Sequence, residues 1–291
     1  MKKLSALFVS VSSLFLFAAP SESGMAAESY PGLDIVSIQD APMTMQGSLF
    51  RSIRPSAGLR PADSYRASLN VFLIRYPGTG KLALIDAGFG RADSALTKRL
   101  AGLKIKPEDI SAVFITHIHP DHVGGLTAPD GKAAFPNAKI YIARREYEAW
   151  SRDPARARLA GHLTPNRKNL VLLDYDKEVP LYGLTPLYYP GHTPGHTVFR
   201  MKISSRSGKE VRTIYFVGDI VHAAELQIPH PEFCARFDME PETAVKSRCE
   251  LLDKAVYWYG AHLPFPGILR ITRQQSPSGG DRFDFLPEYR Y

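Results

Sequence analysis

The stretch Thr116-His-Ile-His-Pro-Asp-His122 contains three of the chain's nine histidines and one aspartate. It ends the nearly continuous apolar run of residues 110–116, which predicts a buried strand. A loop at the end of such a strand holds ligands on a rigid base. Zinc accepts imidazole nitrogen and carboxylate oxygen, and the alternation can direct the first two histidines to one centre and Asp121 and His122 to another. The stretch predicts a metal-binding loop; a polar loop that is merely rich in histidine is the alternative.

Three later segments also place ligand-type residues after regular elements. Strand-like runs precede residues 191–196 (Gly-His-Thr-Pro-Gly-His) and Asp219, and a predicted helix precedes residues 261–267 (Ala-His-Leu-Pro-Phe-Pro-Gly). One such segment could be an ordinary polar surface loop, but four of them are hard to explain in that way. The sequence therefore favours a metal site built from several loops.

Strand and helix patterns surround these segments. Residues 69–76 and 81–87 predict a hairpin through residues 77–80 (Pro-Gly-Thr-Gly), after a loop-like lead over residues 41–65. Apolar spacing predicts a helix over residues 92–103. Further predicted strands cover residues 139–143, 170–173, 184–189, 197–203 and 213–217, and a further predicted helix covers residues 144–151.

A last helix is predicted from Asp238, which starts it as a cap with acidic residues in the first turn. Trp258 and its tyrosine neighbours 257 and 259 would lie at the end of this helix and pack in the core. No repeat or linker divides the chain. We expect one α/β domain with two sheets and helices outside them.

The first 26 residues have a short basic start, an apolar run and then small residues, which together predict a secretory signal peptide. Its end lies between residues 20 and 28, and residues 27–291 form the predicted domain. An uncleaved anchor is the alternative, but the run is shorter than the roughly 20 apolar residues of a spanning helix. The sequence predicts a periplasmic or secreted protein that does not stay in a membrane after cleavage.

Charge and cysteine content exclude some classes. The net charge is +7, with no long basic run, so nucleic-acid binding is not expected. Cys234 and Cys249 could form one disulfide, with Cys249 inside a predicted helix. The expected partner is a small-molecule substrate, and a homo-oligomer is compatible with the sequence.

The four segments together resemble the metallo-β-lactamase-fold hydrolase superfamily over roughly residues 68–270. Its pattern is H-x-H-x-D-H, a distant histidine in a G-H-[ST]-P-G-H-like turn, an aspartate after a strand and a late histidine. The positions that match are His117, His119, Asp121, His122, His192, Asp219 and His262. The resemblance implies a four-layer αββα sandwich with metals at one edge of the two sheets.

The resemblance also implies how the ligands divide between two Zn²⁺ ions. His117, His119 and His192 would hold one ion, and Asp121, His122 and His262 the other. Asp219 would bridge the pair, and a bridging hydroxide would attack a carbonyl or phosphoryl centre. Asp121 would also orient that hydroxide or pass a proton to the leaving group.

Other polar residues receive lesser roles. Asp86 lies in a segment that recurs in the family, which implies that it holds a ligand histidine; a turn or cap role is the alternative. His196 would be structural or position a ligand. His222 either faces the pocket, donating a proton or contacting substrate, or is structural. His162 and His230 have no identified partners and are predicted to lie on the surface or in loops.

The ligand set narrows the expected reaction. Family members with a flavin-linked di-iron site have glutamate at the position of His119, and zinc β-lactamases lack the bridging Asp219. The sequence looks most like the lactonase and organophosphate hydrolase-like group, which predicts cleavage of an ester, lactone or phosphotriester. The alternatives are a β-lactamase, a glyoxalase II-like thioesterase, a mononuclear iron sulfur dioxygenase and a metal-binding module without activity.

Overall fold

The computed structural model of the chain describes residues 24–54, 58–154, 156–204, 210–275 and 281–287. Strands in these residues form a seven-stranded sheet, a six-stranded sheet and a two-stranded ribbon. Most of the predicted signal peptide lies outside the described residues. None of the described helices is long and apolar enough to cross a membrane.

The seven-stranded sheet contains the first half of the chain. It pairs, in spatial order, β1 (Met25–Tyr30), β2 (Leu33–Gln46), β4 (Ser64–Tyr76), β5 (Lys81–Ile85), β6 (Ala112–Ile115), β7 (Lys139–Ala143) and β8 (Leu170–Leu173). Strands β1 to β5 pair antiparallel, and β5 to β8 pair parallel. The predicted hairpin between β4 and β5 is confirmed, with Tyr76 opposite Lys81.

The six-stranded sheet contains most of the second half. Its spatial order is β15 (Asp281–Pro287), β14 (Ile268–Gln275), β13 (Tyr257–Gly260), β11 (Val211–Gly218), β10 (Thr197–Ser204) and β9 (Leu184–Tyr188). Strands β11 and β13 are parallel, and the other neighbours are antiparallel. The ribbon pairs β3 (Phe50–Ser52) with β12 (Phe233–Ala235).

Helices cover the outer faces of the two sheets. The helices are α1 (Leu96–Gly102), α2 (Pro120–Val123), α3 (Arg144–Ser151), α4 (Ala157–Ala160), α5 (Ala224–Gln227) and α6 (Pro241–Lys254), and 3₁₀ segments cover Gly47–Leu49, Pro107–Asp109, Gly124–Leu126 and Gly161–Asn169. Leu100 and Trp150 pack in one core with the outer face of the first sheet, and Leu251 and Leu252 pack on the second. Phe114 and Phe216 lie in the core between the sheets. The predicted αββα sandwich is confirmed.

Two predictions of local structure were wrong. The lead over residues 41–65 is not a loop: β2 continues to Gln46, and Met45 pairs with Tyr65 in β4. Trp258 does not end a helix; α6 stops at Lys254 and the aromatic run is β13, fully buried at Trp258. In both places, pairing with distant strands decides the conformation, and local pattern does not reveal it.

Candidate metal centre

The predicted ligands lie together at one edge of the sandwich, where several strands end. His117 follows β6, His192 follows β9, Asp219 follows β11 directly, and His262 follows β13. Their side chains are 0 to 3% exposed, so the polar cluster is withdrawn from solvent. The strands thus hold the backbone of each loop that carries a predicted ligand.

One group of ligand atoms surrounds His119. Its Nδ1 lies 3.0 Å from Nε2 of His117 and 2.9 Å from Nε2 of His192. Asp219 Oδ2 lies 3.3 Å from Nε2 of His192. The ligand atoms of these four residues all fall within 4.8 Å of one another.

A second group lies on the other side of Asp219. His262 Nε2 is 3.3 Å from Asp121 Oδ2 and 3.0 Å from Asp219 Oδ2. His122 Nε2 is 3.1 Å from Asp219 Oδ1. The ligand atoms of Asp121, His122 and His262 lie within 4.8 Å of one another. Asp219 therefore touches both groups. These two groups correspond to the division that the resemblance implies, but a third group, Asp219, His222 and His262, also has its ligand atoms within 4.8 Å of one another.

The donor chemistry of these groups fits divalent cations. Two imidazole nitrogens face Nδ1 of His119, which can share only one proton with them. His122 Nε2 and Asp219 Oδ1 lie 3.1 Å apart without forming a hydrogen bond, and neither buried atom has another partner among the described residues. A buried cation would satisfy these lone pairs together.

Electrostatics keep the central carboxylate ionised. Burial raises the pKa of Asp219, but the neighbouring His122 and His262 outweigh burial and hold that pKa well below its ordinary value. Burial, followed by His192, lowers the pKa of His119 to about 2, so its ring is neutral at pH 7. Asp219 and His119 are therefore in the state in which each can ligate a metal. Burial lowers the pKa of His192 and of His262, but neighbouring carboxylates outweigh burial and raise these values to about 9 and about 10, so a metal must displace a proton from each ring.

Asp86 orients His122, one of the predicted ligands. Its Oδ2 accepts a hydrogen bond of 2.8 Å from Nδ1 of His122, which leaves Nε2 of that ring toward Asp219. Thr116 donates to Asp86 through its backbone N–H at 2.8 Å and through its hydroxyl. Asp86 has φ of 61°, an uncommon conformation for a residue other than glycine, which those contacts hold in place.

His196 holds the backbone of the central aspartate. Its Nε2 accepts the N–H of Asp219 at 3.0 Å, so its proton is on Nδ1, which donates to the Tyr189 carbonyl at 3.1 Å. Burial, with His192 adding to it, lowers the pKa of His196 to about 3. The neutral ring therefore connects the loop of Asp219 to the backbone at Tyr189 through hydrogen bonds.

His222 lies beside the cluster. Its Nε2 is 3.1 Å from Asp219 Oδ2, and its ring stacks on that of His262 at 5.1 Å. Burial lowers its pKa to about 4, so the ring is neutral at pH 7. Phe237, 37% exposed, packs 4.7 Å from the same ring. His222 therefore lies within reach of the predicted metal ligands.

Asp238 has a role that the sequence did not reveal. The sequence predicted it as a helix cap, which was wrong: the cap residue of α6 is Glu240, without a side-chain cap bond. Asp238 is turned inward instead, and its Oδ1 accepts from Nδ1 of His192 at 2.9 Å. Buried Arg248 lies 3.5 Å from its other oxygen. A carboxylate behind a histidine fixes the tautomer and orientation of that ligand.

Glu146 also escaped the sequence analysis, because a glutamate in a predicted helix suggests only solvent exposure. It is completely buried on α3 and accepts from the N–H of Ile118 at 2.8 Å, the N–H of Gly195 at 2.8 Å and the Thr193 hydroxyl at 2.9 Å. One carboxylate therefore ties the loop of His117 to the loop of His192. A Cβ on Gly195 would meet the Glu146 backbone nitrogen at 2.3 Å, so this contact requires glycine.

Some of the polar residues considered lie apart from the cluster. His162 bonds Thr127, and His230 lies on a partly exposed loop. Cys234 is buried and Cys249 partly buried, and both are free thiols in the structure. These residues belong to none of the described groups that could hold a metal.

The span that carries the ligands matches a known family. Residues 66–274 match the metallo-beta-lactamase superfamily, and this is most of the chain. The chain belongs to that superfamily.

Individual relatives refine this assignment. The N-acyl homoserine lactonase AttM of Azorhizobium caulinodans is 30% identical over 148 residues, 48% of this chain and 53% of the relative. The N-acyl homoserine lactonase of Bacillus cereus is 38% identical over 112 residues, 38% of this chain and 39% of the relative. The aligned part thus spans about half or less of these curated relatives.

Solved structures align over more of the chain. AidC, a dizinc quorum-quenching lactonase in complex with the product N-hexanoyl-L-homoserine, is 26% identical with a TM-score of 0.76, covering 92% of this chain and 98% of AidC. The hydrolase AbOPH of the beta-lactamase superfamily is 23% identical with a TM-score of 0.75, covering 92% of this chain and 98% of AbOPH. The latter similarity shows the fold.

Proposed function

We propose that this protein is a dinuclear zinc hydrolase that opens lactone rings, with N-acyl homoserine lactones as the substrate class. The observation that carries the proposal is the pair of buried ligand groups that share Asp219. The lactonase relatives and the similarity to AidC support the substrate class.

The metal-holding residues divide as the geometry groups them. His117, His119 and His192 would hold one ion, Asp121, His122 and His262 the other, and Asp219 lies between them. Bound zinc supplies a Lewis acid and brings the pKa of a bound water near 7.

The chain's own residues would orient the reactants. Asp238 and Asp86 keep His192 and His122 in single tautomers, so the ligand nitrogens face inward. His222 is neutral at pH 7 and donates its ring N–H to Asp219, so it would hold that carboxylate in position; it would not act as the acid, because losing this proton would leave an imidazolate. Asp121 is 16% exposed through its side chain and lies on the open side, where it can orient the attacking water.

An apolar wall lies next to these groups. The segments of residues 41–66 and 222–237 pair through β3 and β12. Phe50 and Phe233 of this ribbon pack in one cluster with Met45 and Tyr65. Phe237 follows the ribbon and stands over His222 and, at 6.1 Å, over His192. The exposed ring is suited to contact with an acyl chain.

A substrate panel on one metal-analysed preparation tests the proposal. The zinc-loaded protein is assayed with N-hexanoyl homoserine lactone, an aryl ester, a phosphotriester and nitrocefin. We expect the lactone to be cleaved with the highest kcat/KM. Faster nitrocefin hydrolysis would make the protein a β-lactamase, and one iron per chain would favour a sulfur dioxygenase. Inactivity toward the whole panel with two zinc ions bound would reject the proposed substrate class.

We also propose that the protein is exported to the periplasm or beyond, on the basis of residues 1–26. Met25 and Ala26 already belong to β1, which pairs with β2. Cell fractionation and the mass of the mature chain test this; a full-length cytoplasmic protein would refute it.

A further inference from the structure

A cleft lies between helix α3 and the segments after β8 and at the end of β9. Its volume is about 550 Å³, within the range of small-molecule sites. Helix α3 forms one wall, with Arg144, Arg145 and Arg152, and the segment after β8 forms another, with Tyr175. The cleft is lined by cationic and apolar groups and by two carboxylates, Glu148 and Asp174.

Arg145 differs from the other cations of the cleft. Arg144 lies 3.5 Å from Asp174, and Arg152 lies 3.2 Å from Glu148. No carboxylate in the described part of the chain forms an ion pair with Arg145. Its guanidinium carbon stands 4.7 Å above the Tyr188 ring, so the flat face is occupied by the ring. The N–H groups lie in the guanidinium plane and are available to an anion.

The rest of the lining is apolar or aromatic. Leu173 and Ala149 contribute aliphatic surface, and the rings of Tyr175 and Tyr188 pack 4.8 Å apart. We propose that this cleft binds a small organic monoanion, a carboxylate on a flat apolar body, with Arg145 as the carboxylate contact and the two tyrosines as the platform. One unpaired cation beside paired ones selects a single negative charge, not a polyphosphate.

The same tyrosines contact the metal-binding turn. Tyr175 donates its hydroxyl to the Gly195 carbonyl at 2.8 Å, and Tyr188 donates to the Pro194 carbonyl at 3.3 Å. Arg145 is the immediate neighbour of Glu146, which holds Gly195 from the other side. An occupant of the cleft would therefore rest on the groups that support the His192 turn, without touching the metal ligands.

Calorimetric titration with 2-naphthoate tests the site, with neutral 2-naphthamide as the matched ligand control. We expect the metal-loaded wild type to bind the naphthoate at least tenfold more tightly than the amide. Arg145→Gln should weaken naphthoate binding at least tenfold. Arg158→Gln removes an exposed arginine of α4 that does not line the cleft, and it should change binding by less than twofold.

The alternative to binding in the cleft is that the carboxylate of 2-naphthoate binds the metals. Binding should persist after chelation if it occurs in the cleft. Tyr188→Ala, which removes one platform ring with the metals in place, should also weaken binding at least tenfold. Binding that is unchanged in Arg145→Gln or Tyr188→Ala, or that disappears on chelation, would overturn the proposal. These results do not depend on which substrate the enzyme hydrolyses.

Discussion

Glu146→Gln should loosen both loops that carry the first ligand group. The carboxylate offers one oxygen to the N–H of Ile118 and the other to the N–H of Gly195, each at 2.8 Å. Glutamine has only one oxygen, so its NH₂ group must face one of these donors. Flipping the amide does not restore both hydrogen bonds, because a backbone N–H faces each end of the group.

The expected loss can be counted from those contacts. One buried N–H left without an acceptor costs about 1–3 kcal/mol, and the remaining bond loses about 1 kcal/mol because its acceptor is no longer charged. The Thr193 hydroxyl can rotate to accept from the new amide, so its contribution changes little. We expect unfolding to become easier by about 2–4 kcal/mol.

Urea unfolding followed by tryptophan fluorescence measures this change, because Trp150 lies on the same helix. Zinc transfer to a chelator reports whether the loops release metal faster. Glu148→Gln is the matched control: Glu148 is on the same helix but partly exposed, in a surface pair with Arg152, and should cost less than about 0.5 kcal/mol. A Glu146→Gln protein with wild-type stability and zinc retention would refute the reasoning.

Three further outcomes are expected. Asp238→Asn should lower zinc affinity about 10- to 100-fold by competition with a chelator, because His192 loses its anionic partner; equal affinity would contradict that role. His222→Phe should keep the wild-type zinc content and lower lactone kcat/KM about tenfold, because Asp219 loses a hydrogen-bond donor; loss of zinc would identify His222 as a ligand. EDTA should abolish activity and lower Tm, zinc should restore both, and an unchanged Tm would show that the metals do not stabilise the fold.

Much of the site was predictable because its ligands lie in short motifs at strand ends. The sequence placed His117 to His122 after a buried strand, and β6 ends at Ile115 as that pattern requires. The carboxylates that hydrogen-bond to the ligand histidines and their loops were harder to predict from the sequence. Asp86 was found through its family segment, whereas Asp238 and Glu146 carry no local pattern, since each contacts a ligand loop more than 25 residues away in sequence.

The secondary structure was likewise predicted well where the pattern is local and poorly where distant contacts decide it. Apolar runs such as β6 and β7 are buried strands wherever they lie, so their bounds were predicted closely. The strand β2 was missed, because it includes charged and polar residues such as Asp40, whose side chain turns inward to accept from the N–H of Leu96. Only the partner strand makes that segment extended.

The central claim is that Asp219 joins two metal sites, and metal content measures it directly. Zinc per chain is determined by mass spectrometry of metals for the wild type and for Asp219→Ala, after equal loading and gel filtration. We predict two zinc ions per chain in the wild type, at most one in the variant, and no lactone hydrolysis by the variant. One ion in the wild type, or two retained and active in Asp219→Ala, would contradict the account.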